Sequence, residues 1–128
     1  MVSQVGSHRG IPNFLNYNGY PASICVSVNE EVVHGIPRRD RILQEGDIVS
    51  LDAGLIYKGY HSDAARTYPV GEVAPEVAKL IEVTKQSFFE GIKMAREGNH
   101  LYDISNAIDD YPHGPSLSLQ RMTASLLL

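Results

Sequence analysis

Two acids in a segment that otherwise reads as strand constrain this chain more than any other feature. In GDIVSLDAGLIYKGYHSDAARTYPVG (Gly46 to Gly71), ten residues separate Asp52 from Asp63. The Val, Ile, Leu and Tyr around them are strand formers. An ionised carboxylate on an inward-facing strand position is costly without a partner. Lys58-Gly59 is a two-residue turn signal between candidate strands at 48–57 and 60–70. Such a hairpin sets Tyr57 opposite Tyr60 and Gly54 opposite Asp63. Asp52, two residues from Gly54, then shares a sheet face with Asp63, at a diagonal spacing of roughly 7–8 Å. Gly54 has no side chain and leaves room between them. Two close carboxylates repel, and one must protonate unless a cation lies between them. Hard oxygen donors on rigid strands suit one or two divalent metals. The competing reading leaves the acids unrelated, one capping a turn and the other paired with Arg66. Spacing alone does not choose between the two.

Two carboxylates under-ligate a metal pair, so partners must come from elsewhere. His34, in VVHGIP, follows an apolar stretch and precedes a Gly-Ile-Pro turn that presents its imidazole to a pocket. A lone histidine is more often a satisfied structural residue, which is the competing reading here. His61 is set aside as facing away from Asp63 and kept as an outlying partner. Cys25 reads as a small buried hydrophobe before it reads as a nucleophile.

Elsewhere the pattern is αβ-mixed. Residues 1–13, with Gly6, Gly10 and Pro12, read as a loose leader. FLNYNGYPAS is aromatic and turn-rich, with Asn18-Gly19 as its turn. Ile24, Val26 and Val28 alternate with Cys25, Ser27 and Asn29, which is strand periodicity, and Val32-Val33 suggest a second short strand stopped by Gly35 and Pro37. APEVAKLIEVTKQSFFEGIKMAREG reads as a helix with Pro75 in its first turn. Val77, Leu80, Ile81, Thr84, Phe88, Ile92 and Ala95 fall on one face, and Gly98 is placed to end it. NHLYDISNAIDD reads as a shorter helix with Asn99 as N-cap and Leu101, Ile104 and Ile108 on one face. From residue 111 the character changes: two prolines, no acid and five leucines among the last twelve residues. This reads as a solvated tail or as a truncated or frame-shifted end.

Composition narrows the partners. A formal charge of −4 and no basic stripe argue against nucleic acid or an anionic membrane. One cysteine excludes an internal disulfide framework and fits a reducing cytoplasm. No stretch reaches transmembrane length, and the start lacks a signal-peptide pattern.

YNGYPASICVSVNEEVVHGIP, then DAG, then YHSDAARTYPVG resemble the bacterial type I methionine aminopeptidases over about residues 12–110. The related creatinase and proline-peptidase enzymes share the D-x10-D hairpin, whereas NEEVVHGIP marks the methionine enzymes. The resemblance implies an α+β chain, half of a pita-bread fold with antiparallel sheet backed by helices. Residues 14–110 would form the N-terminal half of the domain and 111–128 a tail outside it. It also implies removal of the initiator methionine from nascent proteins by metal-activated water. Two divalent ions (cobalt, manganese, iron or zinc) would be held in part by Asp52 and by a bridging Asp63. His34 would bond the substrate amide; Phe14, Tyr17, Tyr20 and Cys25 would line the methionine pocket. Asn29 aligns with a contributor to a structural monovalent-cation site. The remaining ligands, one His and two Glu, come in this family from the second half of the fold, which the stretch after Asp110 does not resemble. The implied partners are N-terminal methionine peptides and the ribosome, in the cytoplasm. The alternatives are a non-catalytic half-domain that binds a peptide or protein, or a proline-specific peptidase relative.

Overall fold

The computed structural model describes residues 10–111. They divide into two compact units between Val73 and Ala74. The first is an antiparallel sheet of four strands: β1 (Ile11–Pro12), β2 (Cys25–Val28), β3 (Ile48–Tyr57) and β4 (Tyr60–Pro69). β3 is the spine. β4 pairs along the whole of one edge, from Ile48↔Pro69 to Tyr57↔Tyr60. The other edge is shared, β2 taking residues 49–52 and β1 taking 55–56. The hairpin closes at Lys58 (φ 52°) and Gly59 (φ 84°). Two successive positive φ values give the turn twist that matches the right-handed twist of the flanking strands.

One face of this sheet carries Val26, Val28, Val49 and Leu51, with Val28 and Val49 buried. Residues of the 36–43 loop, among them Ile36, Pro37 and Leu43, line a small cleft with Val26 and Val28. The opposite face carries Cys25, Ser27, Ser50 and Asp52, and there the Ser50 and Thr67 hydroxyls bond each other at 2.7 Å. The alternation read from the sequence therefore separates an apolar face from a polar one.

Two expectations change in this unit. Ile11–Pro12, placed in the loose leader, is strand β1, because β3 offers its free edge at Ile56 and Leu55. Val32-Val33 do not form a strand. The Val28 amide instead donates to the Glu31 carboxylate at 2.9 Å, and the Gly35 amide to the Ser27 hydroxyl at 3.1 Å, so side chains take the bonds that a ladder would need. Residues 1–9 of the leader and the tail from 112 lie outside the described residues.

The second unit holds α1 (Pro75–Ile92) and α2 (Leu101–Asp109). Pro75 opens α1 as expected, but the helix ends six residues before Gly98. Met94 and Ala95 donate to the carbonyls three residues back, which tightens the last turn. Asn99 caps this end, its side-chain amide donating to the Met94 carbonyl at 2.8 Å. It is therefore not the N-cap of α2. That position is His100, whose amide donates to the Asp103 carboxylate at 2.7 Å. Within α1 the buried line is Val83, Ser87 and Gly91; the line expected from apolar spacing is only partly covered. Gly91 admits α2 closely, since a Cβ there would lie 2.6 Å from Ile108 Cγ1.

Candidate metal centre

The hairpin register puts Gly54 opposite Asp63, and Asp52 between Cys25 on β2 and Ala65 on β4. Cys25, Asp52 and Asp63 thus share one sheet face, as the two-residue turn predicts. His61 pairs with Ile56. It stands two residues from Asp63 and so on the same face, which corrects its assignment to the other side. The next strand position outward holds it, exposed.

Asp52 is half-buried, and its Oδ1 is buried without a hydrogen-bond partner. Burial, followed by the neighbouring Asp63 carboxylate, pushes its carboxyl up to about 6, and the His34 side chain opposes the rise. Two carboxylates on one face and an orphaned buried oxygen fit a divalent cation, since hard cations take such donors. Among the described residues, no group of three or more His, Cys, Asp or Glu could hold a metal.

A consequence for the metal-free chain follows from the raised carboxyl. Between pH 3.8 and about 6 the unfolded chain releases this proton while the fold retains it. Stability contributed by Asp52 is then full below that window and lost as pH rises through it. Thermal melts followed by circular dichroism should show the midpoint falling across this window, and Asp52→Asn should remove that part of the slope. A slope unchanged in Asp52→Asn would refute the assignment.

His34 reaches this neighbourhood through backbone geometry. Its φ is 56°, a left-handed conformation that costs about 1–3 kcal/mol in a non-glycine residue and persists only where its surroundings fix it. Gly35 supplies the fixing. Its carbonyl accepts from the Val26 amide at 2.8 Å and from the Tyr20 hydroxyl at 2.8 Å. A Cβ at Gly35 would sit 2.2 Å from the Val26 carbonyl oxygen, so only glycine permits this approach to β2. The His34 side chain itself is exposed.

Tyr20 and Cys25 belong to the same cluster. The Tyr20 hydroxyl also donates to the Ile24 carbonyl at 3.2 Å. Burial first, then its contact with Cys25, raises the Tyr20 phenol well above its ordinary value. Cys25 is 5% exposed. Burial pushes its thiol up, Asp52 and Asp63 add to the rise, and Tyr20 opposes it. A buried thiol with a raised pKa is a poor nucleophile, which agrees with the hydrophobe reading. Phe14 and Tyr17 lie on the turn before Tyr20, Phe14 half-buried and Tyr17 70% exposed.

Asn29 follows β2 with φ 54°. Its Oδ1 accepts from the Ile48 amide at 2.9 Å and its Nδ2 donates to Asp47 at 2.8 Å. These bonds strap β2 to the start of β3 and leave a cation only the second lone pair of Oδ1. The Asn29 bond, then the Gln44 amide, holds the Asp47 carboxyl below its usual range.

Asn13 was missed by sequence reasoning, which placed it in the leader. Its amide donates to the Gly54 carbonyl at 3.0 Å, and its Nδ2 to the Ser62 carbonyl at 3.3 Å. Its side chain fills the space over Gly54, where a Cβ would meet Asn13 Nδ2 at 2.7 Å. The pairing of Gly54 with Asp63 was the available signal, because an empty position between two acids invites an occupant.

The strand-borne D-x10-D and the turn histidine are the features on which the resemblance to pita-bread metallopeptidases rests, and comparison with known proteins bears on that resemblance directly. The sequence profile of metallopeptidase family M24 matches residues 3–119, and the chain belongs to that family. The methionine aminopeptidase of Clostridium acetobutylicum is 55% identical over 107 residues, covering 84% of this chain and 43% of the relative. The crystal structure of methionine aminopeptidase from Rickettsia prowazekii superposes with a TM-score of 0.80 at 46% identity, covering 84% of this chain and 43% of that one. The Xaa-Pro dipeptidase of Bacillus anthracis matches more distantly, with a TM-score of 0.62 at 28% identity over 69% of this chain and 25% of that one. The chain thus spans less than half the length of the relatives it matches, and its fold is half of a pita-bread domain. No helix among the described residues is long and apolar enough to cross a membrane.

Proposed function

We propose that this chain is the metal-binding front half of a methionine aminopeptidase, an enzyme that removes the initiator methionine from nascent proteins in the cytoplasm. One observation carries the reading: the partnerless buried oxygen of Asp52, beside Asp63, on a sheet face that also bears Cys25 and that His34 approaches. Asp52 and Asp63 would hold two divalent ions (cobalt, manganese, iron or zinc) together with ligands from the remainder of the enzyme. When bound, such ions supply electrophilic polarisation of a carbonyl and a water of lowered pKa.

The chain's own residues supply orientation. His34, pinned by Gly35, donates a hydrogen bond to the scissile peptide. Phe14, Tyr17, Tyr20 and Cys25 form the methionine pocket, Cys25 giving it a small, polarizable wall suited to a thioether. The Tyr20 hydroxyl is occupied by main-chain carbonyls, so its ring is what it offers the substrate. The proposal includes a structural monovalent cation at Asn29 through the remaining Oδ1 lone pair, and substrate delivery at the ribosome.

Peptide profiling tests the reading. A protein joining this chain to the remainder that its relatives carry should release methionine from Met-Ala-Ser peptides and leave Xaa-Pro peptides intact. Cleavage confined to Xaa-Pro peptides would establish the proline-specific alternative. Binding of either peptide without turnover would establish a binding-only role.

A further inference from the structure

We propose that Asn13 supplies a third oxygen to the cation site of Asp52 and Asp63, an inference that rests on the metal reading above. Asn13 Oδ1 and Asp52 Oδ1 are the two buried side-chain oxygens without a partner among the described residues. Leaving such an atom unpaired costs about 1–3 kcal/mol, so two of them on one face point to a missing electrophile or donor.

The placement follows from three contacts. The Asn13 amide bonds the Gly54 carbonyl, which fixes the backbone at the end of β1. The carboxamide then crosses β3 over Gly54 and bonds the Ser62 carbonyl on β4 through Nδ2. Gly54 is the direct partner of Asp63 and stands two residues from Asp52, so its vacant side-chain direction is the face of both acids. With Nδ2 committed to Ser62, Oδ1 is the free end of the amide. Its lone pairs can coordinate a divalent cation or accept from a water held by one, and they accept nothing from the two acids once both are ionised. A neutral amide oxygen also adds a donor without adding to the repulsion between Asp52 and Asp63. The oxygen donors among these residues are of a type that manganese accepts.

Manganese alone, titrated into this chain by calorimetry, tests the inference. Asn13→Ala should weaken manganese binding about tenfold, the lower end of the cost of removing an outer partner from a metal site. Asn13→Asp should tighten it by adding charge to the ligand set. Because Asn13→Ala also removes the strap to Ser62, a second measurement uses the unaltered chain. Sub-stoichiometric manganese should broaden the Asn13 side-chain amide signal in nitrogen–proton NMR spectra, and the same amount of diamagnetic magnesium should not. A sharp Asn13 signal, or unchanged affinity in a folded Asn13→Ala, would overturn the role of Asn13. Loss of manganese binding in Asp52→Asn and Asp63→Asn supports the underlying metal reading independently. Should those two variants bind manganese like the unaltered chain, the metal reading itself fails, and with it this inference.

Discussion

Asp63→Ala is expected to strip metal and peptide hydrolysis together from a protein that joins this chain to the remainder its relatives carry. Asp63 stands on β4 directly across from Gly54, whose vacant side-chain position the Asn13 carboxamide covers. Its side chain is exposed, so truncation removes little packing and the hairpin register should survive. What it removes is half of the carboxylate pair. Loss of outer partners alone costs metal sites about 10–100-fold in affinity or activity, and a ligand shared by two ions should cost more. The Asp52 carboxyl should fall toward the ordinary range at the same time, since one cause of its elevation is gone. Metal analysis of the purified variant, paired with Met-Ala-Ser hydrolysis, reads both losses. A variant that keeps its metal but not its activity would move Asp63 from ligand to substrate contact.

The hairpin was legible because its information is local. Lys58-Gly59 sets the turn, alternation sets the faces, and counting outward pairs Gly54 with Asp63. Those steps put both acids on one sheet face; reading them as a pair rested on the family resemblance. His34 was legible as a candidate but its position was not. That depends on the Gly35 carbonyl meeting the Val26 amide and the Tyr20 hydroxyl, contacts with residues nine and fifteen positions away. Asn13 was hidden for a related reason. Gly10 and Pro12 give its surroundings the composition of a leader, and a two-residue strand carries no periodicity. Its partner is a strand edge more than forty residues distant. The end of α1 was misjudged where two capping signals compete: Gly98 has the right conformational freedom, but Asn99 reaches back to Met94 and closes the helix earlier. The parity of His61 was available in the sequence and needed only the same count that placed Asp63.

His34→Ala should separate chemistry from metal binding. The imidazole lies near enough to Asp52 to oppose the rise in its carboxyl, yet it stands on the turn after residue 33 and not on the hairpin that carries the acids. Its backbone is held by Gly35, Val26 and Tyr20, and none of those bonds involves the imidazole. Truncation should therefore leave the turn, the sheet and the metal content near those of the unaltered protein. The proposed loss is one hydrogen-bond donor to the reacting peptide. Removing such a donor lowers kcat by about 10²–10³ when it acts in the transition state. KM should change little, because the methionine side chain is bound by Phe14, Tyr17, Tyr20 and Cys25 in the same proposal. Alanine also relaxes the left-handed position less well than histidine is held there, so a melt of the variant is the control for displacement of the turn. Full activity in His34→Ala would remove the histidine from the mechanism. Loss of metal would make it a ligand, and the assignment of donor would fail.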